Sequence, residues 1–405
     1  MENIVVVGAS LAGLSAVREL RAEGFSGSIT VIGDEQIRPY DRPPLSKQII
    51  TGKLTASEIS LESPDEELSA EWRLGVTATA LDLAGKRVAL DSGESLTFDG
   101  LVIATGARPR QMPGSKLRGV FTLRTLAEAE ELRHTLTEGT PRVVIVGGGF
   151  IGAELAASCR SLGLEVSVIE AGPTPMGAVL GDVIGSGLAA LHRNNGVNLL
   201  LGLGVEELIG ETEVRGIRML DGSTIEADIV VLAIGVVPST DWLVGSGLKM
   251  DNGVVCDASC LAAPDVVAAG DVARWPNQLS GEFRRVEHWD NAIRQGEHAA
   301  RRLLAGSDDE KILAYEPVPW VWSDQYDRKF QIVGSPAGHD EVRLVQGTEH
   351  DERFIALYRK DRHVSAVFGS NQTRKVLAYR KRIQDRLLWA DALAELDQAP
   401  QPASV

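Results

Sequence analysis

One pattern occurs twice in this chain and limits what it can fold into: a short apolar strand, a glycine-rich loop, a helix and a second apolar strand. The first copy begins near the first residue, as "NIVVVGASLAG". Asn3–Val7 reads as a fully buried strand, Leu11–Glu23 has helical periodicity ended by Gly24, and Ile29–Ile32 is the second strand. The other copy is "PRVVIVGGGFIGAELAASCRSLGLEVSVIEAG", from Pro141 to Gly172. Strands that are apolar at every position are those of parallel sheets, covered on both faces. Three further apolar runs, Leu101–Ala104, Ile229–Ile234 and Val266–Ala269, end at Thr105-Gly106, Gly235 and Gly270-Asp271. The chain is therefore α/β, with an internally repeated βαβ unit.

The second loop carries the full G-x-G-x-x-G pattern at Gly147, Gly149 and Gly152. Gly147 permits the tight turn, Gly149 lets a pyrophosphate approach the backbone, and Gly152 lets helix pack on strand. The helix N-terminus offers free N–H groups to the phosphates. Glu170 ends the next strand, where a carboxylate accepts hydrogen bonds from both ribose hydroxyls of an adenosine and repels a 2′-phosphate. Ala171-Gly172-Pro173 brings no arginine for such a phosphate. The site favours NADH over NADPH.

The first loop keeps Gly8 and Gly13 but has Ser10 at the place of closest phosphate approach. Serine is small and brings a donor, so it reads as a tolerated variant. Asp34, then Glu35, supplies the ribose carboxylate. Equal counting from Gly8 lands on Val31, and a longer helix-to-strand connection, Gly24–Ser28, absorbs the difference.

Composition narrows the partners. The 405 residues carry a net charge of −15, which repels nucleic acid and anionic membrane at long range. No apolar run is long enough to span a bilayer, no signal peptide is visible, and the chain reads as cytoplasmic. The 3 cysteines, Cys159, Cys256 and Cys260, form no C-x-x-C and no metal-ligand spacing, and read as buried fillers in a reducing compartment. No metal is expected.

"ATGARP" (Ala104–Pro109) and "VVAAGDVA" (Val266–Ala273) resemble the flavin-contact motifs of flavoproteins with two dinucleotide-binding domains. "YDRPPLSK" (Tyr40–Lys47), "TLRTLAEAEEL" (Thr122–Leu132), "VEHWDNAIRQG" (Val286–Gly296) and "PWVWSDQYD" (Pro319–Asp327) narrow the resemblance to the oxygenase-coupled NADH-dependent ferredoxin reductases. That resemblance implies two Rossmann-like domains in a glutathione-reductase-like FAD/NAD architecture, with a C-terminal α+β domain. The expected segments are 1–110 and 239–318 for FAD, 111–238 for NADH and 319–405 for the C-terminal domain.

It also implies the chemistry: hydride from NADH to FAD, then single electrons to a 2Fe–2S ferredoxin feeding a monooxygenase or ring-hydroxylating dioxygenase. Lys47 is expected near the flavin N5, and Glu154, read as lying in the first helical turn, complements the helix dipole or lies near the nicotinamide. Asp271 is expected at the ribityl chain, Arg124 at the pyrophosphate, Trp289 along the pyrimidine edge, and Trp320 or Trp322 beside the flavin. Leu11, Ala12, Arg42, Ala78, Phe150, Ile151, Ile234 and Gly235 complete the cofactor-binding set, and His288 reads as structural. Arg284, Arg285, Arg380, Lys381 and Arg382 are candidate docking residues for an acidic ferredoxin, on a monomer or weak dimer. Rubredoxin reductase and NADH oxidase are neighbouring enzyme readings. The reading of another class is a flavin-bearing, NADH-responsive signalling protein like apoptosis-inducing factor.

Overall fold

The computed structural model describes residues 1–63, 65–277 and 281–398. The chain forms two compact units. The first consists of Met1–Arg42, Ala56–Arg108 and Val236–Pro317; the second of Pro43–Thr55, Pro109–Gly235 and Val318–Val405.

In the first unit, Asn3–Val7 is central to a six-stranded sheet, flanked by Ser28–Gly33 and Gly100–Ile103, with Glu71–Leu74, Val266–Ala268 and Leu261–Ala263 further out. All pairings are parallel except the outermost, Leu261–Ala263 with Val266–Ala268. Helices Leu11–Ala22 and Trp289–Ala305 pack together, and Gly296 makes this close approach possible: a Cβ there would lie 2.5 Å from the Ala12 carbonyl oxygen.

The second unit repeats the plan. Arg142–Val146 lies between Glu165–Glu170 and Ile229–Leu232 in a five-stranded, all-parallel sheet. The same unit holds a five-stranded antiparallel sheet built from residues 320–370. Its Phe330, Phe354 and Phe368 share a core with Leu180, Ile184 and Leu188 of helix Gly177–Asn194. Two helices follow, Thr373–Gln384 and Trp389–Gln398. Sequence periodicity finds the first of these. The second lies beyond it, and residues 399–405 lie outside the described residues.

Candidate functional site

The two glycine loops have nearly the same geometry. Gly8 and Gly147 have φ of 121° and 108°, a region that glycine enters without strain. Their N–H groups donate to Ile32 O and Ile169 O, each at 2.8 Å. A Cβ on Gly13 would lie 1.9 Å from the Gly8 oxygen, and one on Gly152 would lie 2.0 Å from the Gly147 oxygen. The middle position differs in kind. Ser10 and Gly149 both have negative φ, −124° and −77°, and a Cβ on Gly149 would meet nothing within 4 Å. The turn thus demands its first and third glycines, and serine fits the middle place without strain. Neither helix start is capped by a side chain, and neither has an acidic residue in its first turn. Both therefore present open N–H groups to an anion, and the residues fit a dinucleotide pyrophosphate at each loop.

The carboxylates expected at the two riboses are arranged differently. Glu170 accepts from Gly148 N and Gly172 N, each at 2.7 Å, so its carboxylate is held against the second loop. In the first unit the register pairs Val7 with Ile32, as Val146 pairs with Ile169, so Gly33 stands at the place of Glu170. A Cβ on Gly33 would lie 2.4 Å from that of Ala9. The acids nearest that place are the next two residues, Asp34 and Glu35. Asp34 is exposed, whereas the Glu35 carboxylate accepts from Tyr40 Oη and Arg42 Nη2, each at 2.5 Å. Arg42 also donates from Nε to Ser10 Oγ at 3.2 Å, which ties the substituted loop position to the acidic pair.

The other expected residues of the first unit lie on several of its elements. Ala104, Thr105 and Gly106 follow the strand beside Asn3–Val7, with Thr105 Oγ1 donating to Ser239 O at 2.8 Å. Asp271, buried after Gly270, interacts electrostatically with Arg42. Trp289 opens its helix and donates from Nε1 to Asp41 Oδ1 at 2.7 Å. Ala78 is buried opposite Leu90, and His288 sits at the N-cap position before Trp289, its imidazole pushed down to about 4 by burial. Leu11 and Ala12 begin the first helix as Phe150 and Ile151 begin the helix of the second unit.

The second unit holds a buried charge cluster. Pro43-Pro44 leads into a wide turn, Leu45–Ile49, in which Ile49 N donates to Pro44 O at 3.0 Å. Such five-residue turns recur at functional sites. Ser158 Oγ fastens the turn by donating to Ser46 O at 2.7 Å. Lys47, 8% exposed, places Nζ 3.2 Å from Glu154 Oε1 and 3.4 Å from Asp324 Oδ2. Glu154 also accepts from Ser46 Oγ (2.5 Å), Ser323 Oγ (2.9 Å) and Asp324 N (3.3 Å). Burial pushes its carboxyl above the usual range, against the opposing pull of Lys47, Ser46 and Ser323. The helix-dipole expectation for Glu154 is corrected: the residue stands one turn into Phe150–Ser161 and is spent on Lys47 and the two serines.

Trp320 and Trp322 do lie on one face of their strand, with rings stacked at 5.1 Å between centroids. Arg124 precedes the helix capped by Thr125 and Glu128, and its backbone N–H donates to Glu128. Ile234 is half-buried and Gly235 exposed after the strand Ile229–Leu232.

Comparison with known proteins agrees with this geometry. A family model described as pyridine nucleotide-disulphide oxidoreductase matches residues 2–296, and one described as reductase C-terminal matches 320–399. Putidaredoxin reductase of Pseudomonas putida is 33% identical over 95% of this chain and 92% of its own. The ferredoxin–NAD(+) reductase component of the biphenyl dioxygenase system of Paraburkholderia xenovorans is 34% identical over 93% and 91%. The chain belongs to the pyridine nucleotide-disulphide oxidoreductases. Within them it groups with the ferredoxin reductases of oxygenase systems. The crystal structure of a covalent putidaredoxin reductase–putidaredoxin complex aligns with a TM-score of 0.90 over 98% of both chains, at 32% identity.

This oxidoreductase has no exposed thiol. Cys159, Cys256 and Cys260 are all free and buried. Burial pushes Cys159 and Cys256 up to about 12 and Cys260 well above the ordinary value.

The basic residues divide. Arg284 and Arg285 are largely covered and paired with Glu282 and Glu287. Lys381 is 75% exposed and meets Asp385 of its own helix turn, while Arg382 pairs with Glu395. The sequence reading passes over Ser46, Ser323 and Asp324. A signal was present, since all three lie inside the two most distinctive motifs, "YDRPPLSK" and "PWVWSDQYD".

Proposed function

We propose that this protein is an NADH-dependent ferredoxin reductase that holds FAD in its first unit and NADH in its second. Its acceptor is a 2Fe–2S ferredoxin serving a monooxygenase or ring-hydroxylating dioxygenase, in the cytoplasm. The observation that carries the reading is the pairing of two nucleotide loops with three inert thiols. Electrons collected from NADH meet no reactive thiolate in this chain, so they must leave it for an external acceptor. A bound flavin supplies the conversion of one two-electron donor into two one-electron deliveries.

The chain's own residues bind and orient. Gly8–Gly13, Ser10 and Arg42 receive the FAD pyrophosphate, Asp34 or Glu35 its ribose, and Asp271 its ribityl chain. Gly147–Gly152 and Glu170 receive NADH. Lys47 offers a fixed cation to negative charge developing on the cofactor, and Glu154 holds that cation in place. Arg380, Lys381 and Arg382 supply a local basic patch for an acidic ferredoxin.

Stopped-flow mixing with NADH, followed by titration with oxidised 2Fe–2S ferredoxins, tests this directly. The purified protein should show flavin absorption, bleach with NADH and recover on adding ferredoxin. Ferredoxin reduction should slow at high salt while ferricyanide reduction changes little, because exposed charges are screened beyond about 8 Å at physiological ionic strength. A purified protein without flavin bands that gains none on adding FAD sinks the reading.

A further inference from the structure

NADH loses two electrons and one proton when it becomes NAD+. Two one-electron acceptors take the electrons and no proton, so one proton per NADH must pass to water. The buried pair Lys47–Glu154 has a partly exposed carboxylate beside it, that of Asp324. Side-chain exposure is 10% for Lys47 and 8% for Glu154, but 39% for Asp324. Asp324 touches both members, Lys47 through Oδ2 and Glu154 through its backbone N–H. Its other carboxylate oxygen looks outward to Lys329, whose Nζ is 3.9 Å away and whose side chain is 47% exposed.

We propose that Asp324 is the outlet for the proton released on each NADH oxidation, reached from Glu154 through Lys47; this rests on the reductase reading above. A proton accepted by the Glu154 carboxylate moves outward in one concerted shift. Lys47 Nζ takes it from Glu154 Oε1 and gives one of its own to Asp324 Oδ2, so the lysine stays an ammonium throughout. Asp324 then releases the proton to water. Charge balances at every stage; the proton enters at Glu154 from the oxidation of NADH and leaves at Asp324.

The groups facing Glu154 are Lys47 and Ser46 from the wide turn, and Ser323 and Asp324 from the strand Trp320–Gln325. The serine hydroxyls donate to the carboxylate, so the lysine is its ionisable link outward. A strand of the reductase C-terminal module thus supplies the exit for a pair carried by the rest of the second unit.

The test uses the intact holoenzyme, reduced with NADH and mixed with ferricyanide in weak buffer containing a pH indicator. In the wild type, proton release should keep pace with return of the flavin bands. In Asp324→Asn, proton release should lag electron loss at least tenfold. Asp324→Glu, or added azide or imidazole, should restore it. Infrared difference spectra should show a carboxylic acid band that disappears in Glu154→Gln and persists longer in Asp324→Asn. Proton release keeping pace in Asp324→Asn would overturn the proposal. So would wild-type spectra without a transient Glu154 acid band, a measurement that stands if the variant fails to fold. A wild-type holoenzyme that NADH cannot reduce would overturn the reductase reading itself, and this proposal with it.

Discussion

The loops at 8–13 and 147–152 solve the same geometric problem with different chemistry. Both place a left-handed glycine first and a close-packed glycine third. The second loop then has an open glycine and a carboxylate clamped by two backbone N–H groups. The first has Ser10 joined to Arg42, which is joined to Glu35. The steric positions are fixed by the turn; the positions facing the ligand vary with what is held. A cofactor that must stay gains from side chains reaching in from a distant segment. One that must leave is better met by a bare loop and a single fixed acid.

The strongest way to break this comparison is at the third glycine. Gly13→Leu should abolish flavin retention, and Gly152→Leu should leave the flavin bound but remove saturable NADH reduction. Absorption spectra and NADH titrations separate the two outcomes. Loss of both functions in both variants would mean the loops are not independent sites.

Acid should weaken both units through imidazoles held neutral by the fold. Burial lowers His192 in the second unit and His288 in the first to about 4. Both are neutral when folded and take up a proton near pH 6.5 when unfolded. Stability is thus fully present above about pH 6.5 and is lost as pH falls toward about 4. Between pH 7 and 5 each contributes about a twentyfold fall in the folding constant. His192→Asn should reduce that pH dependence in urea unfolding.

Coenzyme choice tests the clamped carboxylate. NADH should be preferred over NADPH at least about tenfold in kcat/KM, or about 1.4 kcal/mol. Glu170→Ala combined with Ala171→Arg should narrow the gap. Equal use of both coenzymes by the wild type would remove Glu170 from the ribose. The smallest effect belongs to Ser10. Ser10→Gly loses one hydrogen bond to Arg42 and no steric fit, so FAD affinity should fall only a few-fold. A hundredfold loss would make Ser10 a principal anchor.

Much of this was legible in the chain. The turn needs glycine where φ is positive or a Cβ would strike a carbonyl, so Gly8, Gly13, Gly147 and Gly152 announce themselves by residue type. The longer connection of the first copy was also legible: five residues, 23–27, lead from helix to strand where the second copy has three, 162–164. The Gly33 substitution at the place of Glu170 was not, because it follows from the strand register and not from counting.

The amino-acid sequence by itself determined two βαβ units, an acid, Glu170, closing the second strand of the second unit's repeat, and the want of a redox disulfide. These depend on neighbours a few residues apart, whose spacing is fixed by backbone geometry. Only the tertiary structure decided the cluster of Lys47, Glu154 and Asp324. Its members are separated by more than a hundred residues along the chain, and they act on one another because burial strips away the water that would screen them. The same folding covered Arg284 and Arg285 while leaving Lys381 in solvent. A basic residue reads the same in a sequence whether its charge meets a partner or the solvent; the packing around it makes that choice.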